Sequence, residues 1–123
     1  MAWLIWVLIF TVLMSATILG CGVMLIKSPP TDINSVFGYR TKRSMTDQKH
    51  WDFAQQYAGR VWVRSGIANA VVFLTLTILC HLLGDLPEEK ETIVGLILTY
   101  AQLIPLLIVI PMTEHALKRR FED

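Results

Sequence analysis

Residues 2–26 read AWLIWVLIFTVLMSATILGCGVMLI, and no charged side chain comes before Lys27. That length meets the ~20 apolar residues an α-helix needs to cross the hydrocarbon of a bilayer. In lipid, every backbone polar group has to be satisfied within the segment, so a spanning helix is the expected form. A cleavable signal peptide wants positive charge ahead of its apolar stretch, and Met1-Ala2-Trp3-Leu4 carries none. The run is therefore expected to remain as a span. Ile18-Leu19-Gly20-Cys21 loosely resembles a lipoprotein cleavage site but lacks the same basic lead-in. Trp3 and Trp6 suit an aromatic belt at one membrane surface. Ala16 and Gly20, four apart, suit a place where a neighbouring helix comes close.

Two more apolar runs follow, at about residues 67–83 and 93–112. They account for a chain of 123 residues that is 54% hydrophobic and 17% charged, where a soluble domain carries about 25% charge. Mean hydropathy is +0.50. The expected fold is all-α: a single integral membrane domain over residues 1–123, with three transmembrane helices. Between the first and second lies a polar segment, residues 27–66. Pro29-Pro30 opens it and cannot continue a helix. Ser44-Met45-Thr46-Asp47 reads as a helix start, with Ser44 as the cap and Asp47 three residues on. Trp51, Ala54, Tyr57 or Ala58, Val61 and Trp62 then form one stripe, opposite Lys49, Asp52, Gln56 and Arg60. That pattern predicts an amphipathic helix lying in the membrane interface, with Gly66 as a bend into the second span. In the third span, Pro105 removes a helical hydrogen bond and clashes with the carbonyl of Ala101, so a kink is expected there.

Charge sets the expected orientation. Residues 27–66 hold seven Lys or Arg: Lys27, Arg40, Lys42, Arg43, Lys49, Arg60 and Arg64. The loop from Asp85 to Glu91 sets one Lys against four carboxylates, and the tail carries Lys118, Arg119 and Arg120. Basic residues near spans are retained on the cytoplasmic side. The expected arrangement is N-terminus outside, long loop inside, acidic loop outside, C-terminus cytoplasmic.

The long loop contains the candidate site. Gly38 allows backbone angles other residues avoid, Phe37 and Tyr39 offer aromatic faces, and Arg40 carries a planar fork of donors suited to carboxylate or phosphate. Topology alone explains Lys42, Arg43, Lys49 and Arg64. It does not explain Asn34, Phe37-Gly38-Tyr39-Arg40-Thr41 or Ser44. Inside the spans, Asn69, Tyr100 and Gln102 are polar; interhelical hydrogen bonding is the plainer account, a groove or path the sharper one. His50, His81 and His115 have no ligand spacing, and Cys21 and Cys80 sit in apolar runs. No metal, cofactor or catalytic residue is expected, and no nucleic-acid reader motif is present. The bilayer is the one partner that composition implies.

Pro30, Asn34-x-x-Phe37-Gly38-Tyr39-Arg40-Thr41-x-x-Ser44-Met45, Trp51, Ala54 and Gly59, followed by a span, resemble the SdpI/YfhL family of bacterial membrane proteins. The resemblance runs from Pro30 through the second span, with a third span following as in the family's short members. It implies a bacterial plasma membrane protein with a shared cytoplasmic-side motif: Asn34, Phe37, Gly38, Tyr39, Arg40, Thr41, Ser44 and Trp51. It also implies a non-enzymatic role. The family includes an immunity protein that protects its own cell from a secreted toxin peptide and holds a transcriptional repressor at the membrane. The expected function is thus immunity or resistance to a membrane-active peptide. The alternatives are a signalling module that sequesters a cytoplasmic regulator, or a small transporter. The transporter would need a homo-oligomer, because three spans enclose little space.

Overall fold

The computed structural model describes residues 2–122, and all regular structure among them is helical. Helix α1 is Ala2–Lys27 and α2 is Gln48–Leu83. Three shorter helices then stack end to end: α3 (Glu88–Ala101), α4 (Leu103–Leu107) and α5 (Val109–Phe121). Together they form one bent rod, Glu88–Phe121. Each of the three rods is long and apolar enough to cross a membrane, so this is a multi-pass membrane protein. α2 runs antiparallel to α1, and the bent rod returns parallel to α1.

α1 and α2 meet backbone to backbone. A Cβ on Gly22 would lie 2.8 Å from the Gly59 carbonyl oxygen, and one on Gly59 would lie 2.9 Å from that of Gly22. Two turns further along α2, a Cβ on Gly66 would lie 2.9 Å from the backbone nitrogen of Leu19. Such contacts let membrane helices gain dispersion energy where no hydrophobic effect drives them together. The expected Ala16–Gly20 pair faces outward instead, with open space beyond Gly20.

The interior has three layers. One end packs Trp3, Val7, Phe73 and Leu98. The middle is polar, with Thr11, Ser15, Asn69 and Gln102 buried. The other end packs Leu25, Tyr39, Ala54, Ala58, Val61, Val109 and Leu117. The two N-terminal tryptophans belong to the first layer and not to a lipid-facing belt. Trp3 is buried. The Trp6 ring lies where a Gly95 side chain would be, 2.7 Å from an ideal Cβ, and its Nε1 donates to Thr99 Oγ1 at 3.1 Å.

The separate interfacial helix is not found. Residues 48–83 form one continuous helix of 36 residues, about 54 Å long at ~1.5 Å per residue, against a hydrocarbon core of ~30 Å. Its first part therefore stands beyond the hydrocarbon as an extension of the second span. The stripe was read correctly, because Trp51, Ala54, Ala58 and Val61 are buried. Its partners are protein: α1, the 28–47 loop and α5 cover it. Gly66 makes no bend because it is held against Leu19. The helix also starts later than Ser44. Asp47 is the N-cap and accepts from the His50 backbone N–H at 2.8 Å.

The third rod breaks at Gln102 and again at Ile108. Pro105 and Pro111 each fall in the first turn of the helix that follows a break, where the missing N–H leaves no intrahelical bond unmade. The interruption at Gln102, just ahead of Pro105, is thus one of a pair.

Candidate functional site

The 28–47 loop is tied down from both sides by side chains that meet its backbone. Asn34 Oδ1 accepts from the N–H groups of Val36 (2.9 Å) and Phe37 (2.8 Å), an Asx-type turn. That turn leads into Gly38, whose φ of +108° is the only positive φ among the described residues. An L side chain avoids that region. It would also meet Gln55 Oε1 at 2.7 Å and Pro30 Cγ at 2.8 Å.

The turn delivers Tyr39 to a buried receptor. Gln55, fully buried on α2, accepts from the Tyr39 N–H at 2.7 Å and donates to the Tyr39 carbonyl at 2.8 Å. One amide thus satisfies both backbone groups of a buried residue. Ser44, also fully buried, accepts from the Thr41 N–H at 2.8 Å, and its hydroxyl lies 3.1 and 3.0 Å from the carbonyls of Tyr39 and Thr41. Ser44 therefore closes the loop on itself and does not cap α2. Trp51 Nε1 donates to the Pro30 carbonyl at 2.7 Å, and Gln48 Nε2 donates to that of Thr31 at 2.6 Å.

The far side of the loop meets the third rod at Glu114. Its Oε1 accepts from the Tyr39 hydroxyl at 2.8 Å and from Thr41 Oγ1 at 2.5 Å; its Oε2 accepts from Arg43 Nε at 3.0 Å. Arg43 Nη1 also bonds Glu122. Burial, and then the carboxylate at its hydroxyl, push the Tyr39 phenol well above its usual range. It stays protonated and donates. The hydrogen bond to Glu114 likewise strengthens the hold of Arg43 on its proton. The His50 backbone N–H, and then its ring, hold the Asp47 carboxyl below the usual range. The result is a three-donor clamp on one carboxylate, linking a loop between the first two rods to the end of the third.

Of the motif residues read from sequence, the structure joins Gly38, Tyr39, Thr41, Ser44 and Trp51 to this clamp or its supports, with Asn34 shaping the turn before it. Phe37 and Arg40 stand apart. Phe37 is 39% exposed beside Val36 at 82%. Arg40 is exposed and turns back to the Ser35 carbonyl. The basic residue that does reach the third rod is Arg43, whose charge topology alone would explain. Gln55 and Glu114 were not read from sequence either. A signal existed for each: Gln55 is a polar residue beside the apolar stripe of α2, and Glu114 is a lone acid where the third span gives way to a basic tail.

The intramembrane polar residues divide. Asn69 Nδ2 lies 2.8 Å from Ser15 Oγ and 3.0 Å from Gln102 Oε1, while Gln102 Nε2 donates to Thr11 Oγ1 at 2.8 Å. They join all three rods where the third one breaks, leaving Asn69 Oδ1 without a partner. Tyr100 is 67% exposed and points away.

The family model described as the SdpI/YfhL protein family matches residues 31–113. The "Uncharacterized protein YfhL" of Bacillus subtilis (strain 168) is 44% identical over 55 residues, 45% of this chain and 50% of that protein. The chain thus matches about half the length of this curated relative. No solved structure matches. The family match covers most of the chain, taking in the loop from Thr31, all of α2 and the third rod up to Thr113, one residue short of Glu114; the protein belongs to the SdpI/YfhL family.

Proposed function

We propose that the protein is a non-enzymatic immunity or resistance protein of the bacterial plasma membrane, acting against a membrane-active toxin peptide. The observation that carries the reading is the Glu114 clamp. It builds a loop of defined shape at the membrane boundary and ties all three spans to it, in a chain whose family includes such immunity proteins. In this reading the long basic loop and the C-terminus are cytoplasmic, and the N-terminus and the acidic segment from Asp85 to Glu91 are outside, as the distribution of Lys and Arg favours. The spans would meet the peptide in the bilayer or block its assembly, and the clamped loop would hold their cytoplasmic ends in register.

The test is protection. Cells making the protein and challenged with a series of membrane-active peptides should survive one of them. Glu114→Ala should reduce survival while the protein stays in the membrane. Lack of protection against every peptide would sink the reading.

One observation favours a second reading. Val36 and Phe37 are exposed apolar residues at the tip of an ordered loop, a form suited to docking a soluble regulator. Pull-down with a Val36→Ser, Phe37→Ser double variant, against wild type, separates the two. A transporter is less favoured, because the Asn69 Nδ2 group and Gln102 bond each other and the hydroxyls of α1, although Asn69 Oδ1 is left without a partner.

A further inference from the structure

A groove of about 390 Å³ lies beside the clamp, between the Gly38–Thr41 segment of the loop and the break in the third rod. Its walls include Tyr39, Trp62, Leu106, Leu107 and Ile110, with Arg40 at the rim. That volume is in the range of small-molecule sites, ~300–1,000 Å³. We propose that this groove binds one anionic phospholipid, with its phosphate on Arg40 and the start of an acyl chain along Leu107 and Ile110.

Three observations point to a lipid. First, the polar groups of the walls are already engaged. Trp62 Nε1 donates to the Leu106 carbonyl at 3.1 Å, and the Tyr39 hydroxyl bonds Glu114. Arg40 is different. An arginine has five N–H donors, and the Arg40 guanidinium makes one hydrogen bond among the described residues, to the Ser35 carbonyl. The groove therefore has one cationic end and an otherwise apolar lining, which is complementary to an amphiphile with a negative head. Second, Leu107 and Ile110 are 52% and 46% exposed on a rod that spans the membrane. That wall opens toward acyl chains, and a soluble anion would gain nothing from it. Third, Trp62 and Arg40 line the groove together, and tryptophans and basic residues concentrate near the headgroup boundary. The groove thus spans the depth where a phosphate and the first methylenes of a lipid already lie. Glu114 fixes Tyr39, which forms one wall of the groove, through the bond to its hydroxyl.

Native mass spectrometry tests this. The purified protein in detergent would be offered equal amounts of phosphatidylglycerol and phosphatidylcholine with identical acyl chains. The expected result is one retained phosphatidylglycerol, favoured by roughly five-fold, the ratio that one basic residue at a membrane surface supplies. Arg40→Gln should abolish the preference, and Ile110→Trp, which fills the groove, should reduce retention of the lipid. Lys42→Gln should leave both intact, because Lys42 is exposed outside the groove. Helical circular dichroism on each variant keeps misfolding from passing as loss of a site. Equal retention of the two lipids would overturn the proposal. So would an effect of Lys42→Gln matching that of Arg40→Gln, which would indicate diffuse surface charge. Displacement by inorganic phosphate would assign the groove to a free anion instead.

Discussion

Gly38 and Tyr39 show how much of this loop depends on single atoms. At Gly38 the backbone lies in the left-handed region and the space for a Cβ is taken by Gln55 and Pro30. Gly38→Ala should therefore lower stability by about 1–3 kcal/mol, read as a lower midpoint of thermal unfolding in detergent. It should also loosen the hold of Gln55 on Tyr39. Tyr39 makes an alkaline prediction. Its phenol pKa is raised in the folded state by burial and by Glu114. The stability it contributes is fully present below about pH 10, the ordinary tyrosine value, and is lost as pH rises beyond that toward the folded value. In a tyrosinate absorbance titration, Tyr39 should ionise late, together with loss of structure. Tyr39→Phe should remove that late component.

At the scale of elements, the α1–α2 contact rests on Gly22, Gly59 and Gly66, and not on the Ala16–Gly20 pair that small-residue spacing picks out on α1. Gly22 and Gly59 touch backbone to backbone, and Gly20 touches nothing. Gly59→Ala should push the helices apart and reduce stability by about 1–3 kcal/mol, as overpacking does. Gly20→Ala should stay within about 0.5 kcal/mol of wild type. Thermal unfolding of the two variants side by side checks the pair, and equal effects would argue against this packing. The same contact explains why α2 is straight through Gly66. A glycine lying against a neighbouring backbone is held in helical geometry by that neighbour, and the bend its flexibility would allow is not taken.

For the whole molecule, the proposed orientation can be read directly. In a background with Cys21 and Cys80 replaced by alanine, Glu89→Cys should react with a membrane-impermeant maleimide in intact cells. Val36→Cys should react only after permeabilisation. Both positions are exposed, so failure to label reports sidedness and not burial. The opposite pattern would overturn the inside placement of the clamped loop, and with it the reading of that loop as a cytoplasmic docking element.

The three membrane rods, the stripe on α2 and the Pro105 break were all legible in the sequence. Each follows from hydrophobic length, helical period or the missing N–H of proline, and these are local properties. Asn34, Gly38, Tyr39, Thr41 and Ser44 also stand out in the sequence as polar or special-angle residues that topology does not require, and the structure gathers them into one hydrogen-bonded loop. The tertiary structure decided what these features face. The same amphipathic stripe can lie on lipid or be covered by protein, and only the position of the loop and α5 shows that it is covered. The roles of Gln55, Arg43 and Glu114 depend on contacts across 16, 71 and up to 75 residues of chain. No local pattern records such contacts: Gln55 meets Tyr39 only once the loop folds back on α2, and Arg43 meets Glu114 only once the third rod has returned to the end of the molecule where the loop begins.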